Sequence, residues 1–474
     1  MPDPMVDLLA IDCGSVEAPA GCGKTELIVA ALAKHDGEKP ILVLTHTNAG
    51  VAALRHRLSK RGIGQQQYRL FTLDGWVLRL LKTFPLRAAI PLQHLEVNSG
   101  ADYPVLRSAT VSLLSDGHLT DVILASYGRL IVDEYQDCNR DQHAIVGLLA
   151  AILPTVVLGD PMQEIFNWEN AHPDWDLDIR GRFPLAAELQ TPWRWKNAGT
   201  ENLGTWLLAV RAALRVGNQI DLRNAPAEVN WVHLDGSDDE AKRRAACMVR
   251  STRQGGEVLI MAGGREKEVQ RSFAKSTPGA VTVEAVDLTD VTNFASQMDL
   301  ETPGCLGRAL DFAFNVMTGV QRQEIINRVR IIRAGTNRTA AEKWEVASMR
   351  FDDTGAATDL VALFRALETM PGARTFRPDI LGACIKALQG TGGGVSFLEA
   401  AKRVREQQRV FGRRLPMKAV GSPLLLKGLE GDVAIILDPN AFDRIAEKNR
   451  KNLYVAMTRG SQKLVVCSAS PLIG

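Results

Sequence analysis

Closely spaced cysteines are missing from this sequence of 474 residues. Paired cysteines at short intervals are the usual sign of a disulfide framework or a zinc site, and the scatter here argues against both. A reducing environment suits such a chain, and we predict a cytoplasmic protein. The seven cysteines are Cys13, Cys22, Cys138, Cys247, Cys305, Cys384 and Cys467.

Long apolar runs and an excess of one charge are also missing. The longest apolar stretch, residues 145–158, is shorter than a membrane span and contains Pro154. The initial MPDPMVDLL has no basic end before its apolar residues, so we predict neither a membrane anchor nor a signal peptide. With 56 Lys and Arg against 54 Asp and Glu, the net charge of +2 is too small for bulk electrostatic binding of nucleic acid. Any nucleic-acid site must therefore be local.

Short runs rich in Val, Ile and Leu recur along the chain and alternate with longer helical patterns. Each run is bounded by turn or charged residues, as are buried parallel strands joined by crossover helices. The length suits about three domains, and no repeat of solenoid period is present. The runs predict strands near Ile41, Leu130, Thr155, Val258, Val433 and Leu464.

Two stretches interrupt this alternation and are interpreted as mainly helical insertions. Residues 78–127 are mixed in character, and residues 279–415 are charged, rich in Ala and Arg, and contain GTGGG at Gly390. The predicted fold class is α/β, with two parallel-sheet domains that carry these insertions. The first domain is assigned residues 1–77 and 128–184, and the second is assigned residues 185–278 and 416–474.

A phosphate-binding loop is predicted by APAGCGKTELIVAAL, which begins at Ala18. Gly21 and Gly23 let backbone amides approach the β- and γ-phosphates, and the following helix adds the positive end of its dipole. Lys24 would reach the phosphates, and the Thr25 hydroxyl would ligate magnesium. A strict pattern has Gly in place of Ala18, and a turn without ligand is the alternative for the loop alone. The predicted nucleotide-binding residues here are Ala20, Gly21, Cys22, Gly23, Lys24, Thr25 and Glu26.

A second signal is RLIVDEYQD at Arg129, a predicted strand that ends in two acids. Asp133 would hold magnesium through water, and Glu134 would polarise the attacking water as general base. Such a pair can also be a solvated turn, but the phosphate loop earlier in the chain disfavours that alternative. The expected cofactors are ATP and magnesium.

Together these residues resemble superfamily 1 helicases of the UvrD/Rep class, and further signatures follow in the family's order. VDEYQD is similar to motif II almost letter for letter, whereas the insertions show no such resemblance. The other signatures are LTHTNAGVAALRHRL at Leu44 (motif Ia), FTLDGW at Phe71 (the next DNA-contact motif), GDPMQEIFNW at Gly159 (III), TPWRW at Thr191 (IV), LKGLEGD at Leu426 (V) and LYVAMTRGSQKLVV at Leu453 (VI).

The resemblance implies two RecA-like motor domains and further nucleotide contacts. Gln163 would sense the γ-phosphate, and Arg194 and Arg459 would stabilise the transition-state charge as planar, permanently charged groups. Glu430 would lie on the ribose side of the nucleotide. For either arginine alone, a surface ion pair is the alternative.

The resemblance also implies contacts with single-stranded DNA. Trp168 matches an aromatic residue on which a base stacks, and His46 stands where relatives often have an aromatic residue. Asn48 and Thr72 are predicted to contact the DNA backbone. The alternatives are a core tryptophan, a structural histidine and simple helix caps.

Several positions depart from the family pattern. No glutamine precedes the phosphate loop, so the base specificity is not given by the sequence. Leu424 and Asp74 replace histidines, and Glu169–Asn170 replaces an Arg-Gly pair, changes that concern the grip on DNA more than hydrolysis. The basic stretch Lys402 to Arg414 could follow a phosphate backbone or be a solvated helix face.

The leading hypothesis is an ATP-dependent DNA helicase or translocase that moves 3′ to 5′ on single-stranded DNA or at a single/double-strand junction. It would serve DNA repair, recombination or defence, since compact relatives accompany a nuclease in Gabija-type antiviral systems. The alternative is an ATP-gated DNA sensor that acts through a protein partner, such as a nuclease, without unwinding. A metabolic kinase is disfavoured because it has no use for the two arginines and Trp168.

Overall fold

The computed structural model describes residues 6–96, 102–166, 172–263, 267–284, 288–408 and 416–474. The chain forms two compact units. The first unit comprises Met1–Trp231, Asp443–Leu464 and Ser470–Gly474, and the second unit comprises Val232–Phe442 and Val465–Ala469.

The strands form two six-stranded sheets and two small two-stranded pairs. The strands are β1 Cys13–Glu17, β2 Ile41–Thr45, β3 Tyr68–Thr72, β4 Arg129–Val132, β5 Thr155–Gly159, β6 Leu185–Glu188, β7 Ile220–Asp221, β8 Val229–His233, β9 Val258–Met261, β10 Val281–Thr282, β11 Met317–Thr318, β12 Arg374–Thr375, β13 Lys418–Gly421, β14 Gly431–Ile436, β15 Gly460–Ser468 and β16 Leu472–Ile473.

The helices surround and connect these strands. They are α1 Lys24–Lys34, α2 Asn48–Lys60, α3 Leu73–Thr83, α4 Asp102–Ser115, α5 Thr120–Ser126, α6 Arg140–Ala150, α7 Arg180–Arg182, α8 Trp193–Ala198, α9 Glu201–Arg215, α10 Asp239–Cys247, α11 Lys267–Ser276, α12 Thr289–Gln297, α13 Leu306–Val316, α14 Arg322–Arg333, α15 Lys343–Thr354, α16 Ala357–Leu367, α17 Pro378–Gln389, α18 Phe397–Gln408 and α19 Ala446–Met457.

The first sheet has the order β3-β2-β4-β5-β1-β6, and each neighbouring pair is parallel. Strands β2, β4 and β5 are apolar and buried on both faces, as a parallel sheet covered by helices requires. Glu17 at the end of β1 is in register with Gly159 at the end of β5. The segments that follow these parallel strands therefore meet at one edge of the sheet.

The second sheet has the order β10-β13-β9-β14-β15-β8, with parallel pairing of β10 with β13, β13 with β9 and β9 with β14. Helices α12 to α18 occupy much of the predicted second insertion and share a separate apolar core. In that core Phe294 stacks on Phe312 with ring centroids 4.2 Å apart. The antiparallel pair β11–β12 is the sheet element of this region.

Side chains define the ends of several helices in the first unit. The Thr47 hydroxyl accepts a hydrogen bond from Gly50 N at the start of α2. Asn139 and Gln142 form a reciprocal capping box at α6, with distances of 2.9 and 3.1 Å. These caps satisfy amides that the helix itself leaves unpaired.

The predicted fold class is confirmed: two parallel-sheet domains carry mainly helical insertions. All six strands predicted from apolar runs are present. Strands such as β1 (CGSVE), β3 (YRLFT) and β6 (LAAE) were not predicted, because their sequences contain no continuous apolar run.

The predicted domain bounds remain a prediction. β6, at Leu185–Glu188, pairs with β1 in the first sheet, and β10, at Val281–Thr282, pairs with β13 in the second. β6 thus lies just after residue 184, where the predicted first domain ends. β10 lies just after residue 278, where the first segment of the predicted second domain ends.

The described helices include none that is long and apolar enough to cross a membrane. The seven cysteines are all unpaired, and six of them are buried. The basic stretch identified in the sequence begins in α18, where Val404 is buried, and its residues 409–414 lie outside the described part.

Candidate nucleotide site and nucleic-acid contacts

The predicted phosphate loop connects β1 to α1. Gly21 and Gly23 have φ angles of +73° and +88°, in the left-handed region that favours glycine. A Cβ atom at Gly21 would lie only 2.6 Å from Cζ3 of Trp195. No side chain caps α1 at Gly23, so its positive end faces the loop without a neutralising partner at that cap. The loop thus has the backbone that a phosphate site needs.

Lys24 lies between the two predicted acids. Its Nζ atom is 3.2 Å from Asp133 Oδ1 and 2.8 Å from Glu134 Oε1. Burial by itself would lower the pKa of Lys24, but the carboxylates of Asp133 and Glu134 outweigh burial and raise it above the ordinary lysine value. Burial also raises the pKa of Asp133, against the effect of Lys24. The structure therefore brings the predicted loop lysine and acid pair together.

Glu134 has a strained backbone. Its φ of +53° places a non-glycine residue in the left-handed region, which costs about 1–2 kcal/mol. Strain of this kind persists where surrounding contacts impose it, and it is common at functional sites. Here the Glu134 amide donates to Asp133 Oδ1 at 2.9 Å, and Gln136 Nε2 donates to Glu134 Oε2 at 2.6 Å.

The predicted γ-phosphate sensor, Gln163, is linked to the acid pair through hydrogen bonds. Gln163 Nε2 donates to Asp160 Oδ2 at 3.0 Å, and the Asp160 amide donates to Gln136 Oε1 at 3.1 Å. Gln136 in turn holds Glu134. Neither Gln136 nor Asp160 was predicted as a site residue, although both belong to the quoted motifs.

Beneath the loop lies an arginine–carboxylate network, which consists of Glu17, Asp160, Arg180, Arg211 and Arg215. Glu17 is fully buried and accepts hydrogen bonds from all three arginines. Arg211 Nε also donates to Asp160 Oδ1 at 3.0 Å. The network joins the end of β1 to the segment after β5.

The charges in this network determine the ionisation of Glu17. Burial would raise the pKa of Glu17, but Arg211, and then Arg215 and Arg180, outweigh burial and hold the pKa below its usual value. The network was not predicted, because its arginines lie in α7 and α9, outside the quoted motifs.

The two predicted catalytic arginines both lie in the first unit and approach the same residue. Arg194 Nη1 donates to the Thr458 carbonyl at 2.6 Å, and the Arg194 amide donates to the Gly21 carbonyl at 3.0 Å. Arg459 is buried, and it donates to the Val455 carbonyl at 2.9 Å and to Thr458 Oγ1 at 3.3 Å. Arg194 is thus attached to the phosphate loop, and Arg459 is held at the end of α19.

Helix α19 also contacts the loop directly. The Ala20 amide donates to the Tyr454 hydroxyl at 3.1 Å. Burial raises the pKa of Tyr454 well above its usual value, so this phenol remains neutral. Tyr454 was not predicted as a site residue, although it lies in motif VI.

Two tryptophans of motif IV cover the loop and were also missed. Trp195 is buried and donates to the Gly460 carbonyl at 2.9 Å. Cδ1 of Trp193 would lie 3.2 Å from a Cβ atom at Gly23. The Nε1 atom of Trp193 is buried and has no hydrogen-bond partner within the described residues. This indole therefore places an aromatic surface beside the phosphate loop.

Three predicted DNA-contact residues lie at the ends of β2 and β3. His46 follows β2, Asn48 begins α2, and Thr72 ends β3 in register with Thr45. The His46 ring lies 5.5 Å from the Phe166 ring, between centroids, which adds an aromatic residue that was not predicted. The Thr72 hydroxyl caps α3 by accepting a hydrogen bond from Gly75 N. A helix cap was the alternative named for this residue in place of a DNA contact. Trp168 lies outside the described residues.

Asp74, which replaces a family histidine, has a local structural role. It accepts two hydrogen bonds from Arg107, at 2.8 and 2.6 Å, and one from Gln142 at 3.2 Å. The carboxylate thereby joins α3 to α4 and α6. Glu430 and Leu424 belong to the second unit, in the segment between β13 and β14.

Thr25 and Asp133 provide a donor set that suits magnesium. Mg²⁺ is usually held by one or two protein oxygens together with phosphate oxygens and water. Thr25 directly follows Lys24 in the chain, and the Lys24 ammonium contacts Asp133. No group of three potential ligands was found among the described residues. A hydroxyl and a carboxylate suit an ion that shares its coordination with a nucleotide.

Residues 91–184 match the family described as UvrD/REP helicase N-terminal domain. This segment contains motifs II and III, and the match confirms the resemblance to UvrD-like superfamily 1 helicases. No curated protein matches the sequence. One solved structure similar to this chain is described as "Complex structure of Arterivirus nonstructural protein 10 (helicase) with DNA", with a TM-score of 0.36 and 10% identity. The match covers 96% of this chain but 61% of that chain, so this protein spans less than two thirds of its length.

Proposed function

We propose that this chain, which resembles UvrD-like helicases, is a motor that couples magnesium-dependent ATP hydrolysis to movement along DNA. The observation that carries the proposal is the cluster at the phosphate loop. There Lys24 lies 3.2 Å from Asp133 and 2.8 Å from Glu134, at the start of a helix that no side chain caps. A lysine, a metal-binding acid and a second acid at a helix N-terminus form the constellation for phosphoryl transfer to water.

The residues of this cluster divide the chemistry between them. Lys24 would bind the phosphates, and Thr25 and Asp133 would hold magnesium, which neutralises charge on the phosphate oxygens. Glu134 would accept the proton of the attacking water. Gln136 holds Glu134 by the 2.6 Å hydrogen bond, so that one carboxylate oxygen is fixed while the other faces Lys24.

Arginines would complete the site. Arg194 is bonded through its backbone to Gly21, so its guanidinium group originates beside the loop. Arg459 is anchored at the end of α19, whose Tyr454 contacts Ala20. Both guanidinium groups are assigned to the charge that develops on the transferred phosphoryl group. Gln163 is assigned to sensing the γ-phosphate, and Glu430 to the ribose side of the nucleotide.

A short segment provides a physical link from hydrolysis to DNA. Glu134, Gln136, Asp160 and Gln163 are joined by successive hydrogen bonds. Three residues after Gln163, Phe166 contacts His46, one of the candidate DNA-binding residues. Loss of the γ-phosphate would therefore need to displace only residues 160–166 in order to affect His46 at the candidate DNA site.

We also propose a direction of movement, a pathway and a set of DNA contacts. The motor would move 3′ to 5′ on single-stranded DNA, entering from an end or a junction, in repair, recombination or defence. His46, Asn48, Thr72 and Trp168 are assigned to the DNA strand. The alternative is an ATP-gated sensor that acts through a partner such as a nuclease. Asp74 favours this alternative, because it stands in place of the histidine that couples to DNA in the family and is bonded to Arg107 instead.

The decisive experiment is ATP turnover with and without single-stranded DNA. Glu134→Gln should lower kcat by about 100-fold or more while ATP still binds, because a general base contributes about 10²–10⁴ in rate. Glu201→Gln, at an exposed position of α9, is the matched control and should leave turnover unchanged. An absence of hydrolysis in the unaltered protein would refute the motor.

Duplex unwinding measured under the same conditions separates the two candidates. DNA-stimulated hydrolysis together with unwinding, both lost in Glu134→Gln, supports an autonomous helicase. Stimulated hydrolysis without unwinding supports the sensor or a translocase that needs a partner.

A further inference from the structure

One part of the first unit has cations and no acids. Residues 39–73 contain no Asp or Glu, although the protein as a whole has nearly equal numbers of both signs. The motif assignments explain His46, Asn48 and Thr72 in this segment, but they do not explain its charge. The Lys and Arg residues of the segment are Lys39, Arg55, Arg57, Lys60, Arg61 and Arg69.

Helix α2 carries three of these six cations, all on its exposed side. Val51, Leu54 and Leu58 form its buried face. Arg55, Arg57 and Lys60 are exposed, and none of them forms an ion pair with a described residue. Cations without partners keep their full charge for a ligand, since no carboxylate has to be displaced.

A groove next to α2 continues the positive surface along the sheet edge. It has a volume of about 390 Å³ and contains Arg55, Gln65, Gln66 and Arg69, with Tyr68 and Phe71 among its aromatic lining. β3 is the edge strand of the first sheet, and Arg69 Nη1 donates to the Tyr68 carbonyl at 2.9 Å along that strand. No carboxylate lines the groove.

We propose that this surface, the basic edge formed by Arg55, Arg57, Lys60, Gln65, Gln66 and Arg69, binds the phosphate backbone of DNA. Guanidinium, ammonium and amide groups donate to phosphate oxygens, and such contacts depend on backbone shape and charge. Arg55 and Arg57 lie in the last part of motif Ia, and the basic edge is a contact additional to the candidate DNA-binding residues His46, Asn48, Thr72 and Trp168. The proposal rests on the proposed function in assuming that the chain acts on DNA.

The position of the basic edge fits this ligand. Helix α2 begins at the candidate DNA contact Asn48, and β3 ends at the candidate contact Thr72. The same helix and the same strand thus carry both the basic edge and these two candidates, which lie at the first residue of α2 and the last residue of β3. Because the net charge is only +2, a local surface of this kind can direct DNA where bulk charge cannot.

One ion pair joins the segment that follows α2 to the first turn of α1. Arg61, just after α2, pairs with Glu26 in the first turn of α1. Glu26 directly follows Thr25, the candidate magnesium ligand. The segment between α2 and the groove is thus attached to the helix that begins at the phosphate loop.

The test is DNA affinity as a function of salt concentration. The probes are a fluorescent oligothymidine and a blunt duplex of mixed sequence, each titrated with the full chain by fluorescence anisotropy. The test variant is Arg55→Gln/Arg57→Gln/Lys60→Gln. The matched control is Arg330→Gln/Arg338→Gln/Lys343→Gln, which removes the same charge from exposed residues of the second unit.

The test variant should bind at least one probe about tenfold more weakly at low salt. The slope of log affinity against log salt should fall in magnitude by about two to three, because each lost phosphate contact removes about 0.7–0.9. Loss on the duplex alone assigns the basic edge to duplex backbone, and loss on oligothymidine alone assigns it to the single strand. Unchanged binding, or an equal loss in the control, overturns the proposal.

This result can be separated from failure of the proposed function. Turnover without DNA should be the same in the test variant as in the unaltered protein, since none of its three residues is in the nucleotide site. If the unaltered protein never hydrolyses ATP, the motor is refuted, yet the affinity measurement still decides whether the basic edge binds DNA.

Discussion

Contacts with neighbouring residues fix the orientation of Glu134 in the predicted acid pair. Glu134 adopts a left-handed backbone and is held by Gln136, while Lys24 neutralises part of its charge. If Glu134 is the general base that we propose, these contacts fix its carboxylate before ATP binds and reduce the reorganisation that hydrolysis needs. A substitution at Gln136 would disturb this orientation without removing a charged group.

Cys22 illustrates how burial controls a reactive group within the loop. Burial raises the pKa of Cys22 to about 12, so at pH 8 only about one thiol in ten thousand is ionised. Iodoacetamide at pH 8 should therefore modify the exposed Cys13 and leave Cys22 unmodified, as measured by peptide mass mapping. Both should react in denaturant. Equal rates for the two cysteines in the folded protein would contradict this prediction.

At the scale of elements, a set of polar contacts joins helices α3, α4 and α6. Asp74 in α3 receives a two-point hydrogen bond from Arg107 in α4, and Gln142 in α6 adds a third bond. Arg107 is buried, so removing Asp74 would take two charge-assisted hydrogen bonds from a buried guanidinium group. The contact thus fixes how three helices meet.

Arg107→Met should destabilise the protein by about 2–4 kcal/mol, because Asp74 would lose its charged partner in a partly buried position. The pair should also be coupled. In a double-mutant cycle with Asp74→Asn, the change in unfolding free energy of the double variant should differ from the sum of the two single changes by about 1–3 kcal/mol. The measurement is urea unfolding followed by circular dichroism. Additive effects would show that Asp74 and Arg107 act independently.

Edge strands and central strands of the first sheet differ in how clearly the sequence predicts them. β2, β4 and β5 are covered on both faces and appear as apolar runs. β3 and β6 are at the edges, and their partly exposed residues break the apolar pattern. Strand prediction from apolar runs therefore fails at these edges, and it also misses the interior strand β1, whose sequence CGSVE contains no apolar run.

At the scale of the whole molecule, the arginine–carboxylate network makes folding stability depend on pH. The pKa of Glu17 is lower in the folded chain than its ordinary value of about 4.5, since Arg211, Arg215 and Arg180 outweigh burial. The ionised form therefore stabilises the fold fully above the ordinary pKa. This stabilisation is lost as the pH falls through the lower, folded-state pKa.

Glu17→Gln should destabilise the protein by about 3–5 kcal/mol at pH 7, because three arginines lose a buried anionic partner. The difference in unfolding free energy between Glu17→Gln and the unaltered protein should stay constant down to about pH 4.5 and become smaller below that pH. Urea unfolding between pH 7 and pH 3.5 measures this. Glu201→Gln is the control, and a difference independent of pH down to 3.5 would contradict the assignment to Glu17.

The sequence by itself determined the fold class, the phosphate loop and the acid pair. Buried parallel strands need continuous apolar residues, and phosphate binding needs glycines, a lysine and a hydroxyl residue at fixed spacing in one segment. These are local requirements, so they are visible in a single stretch of chain. The family match over residues 91–184 agrees with the motifs there.

Tertiary structure alone decided which distant residues complete the site. Arg211 meets Glu17 and Asp160, Tyr454 meets Ala20, and Phe166 meets His46 only because the strand order brings their segments together. The basic edge likewise needs α2 and β3 side by side. Such contacts join residues far apart in the chain, and no spacing rule of the sequence encodes them, because side-chain contact depends on packing in three dimensions.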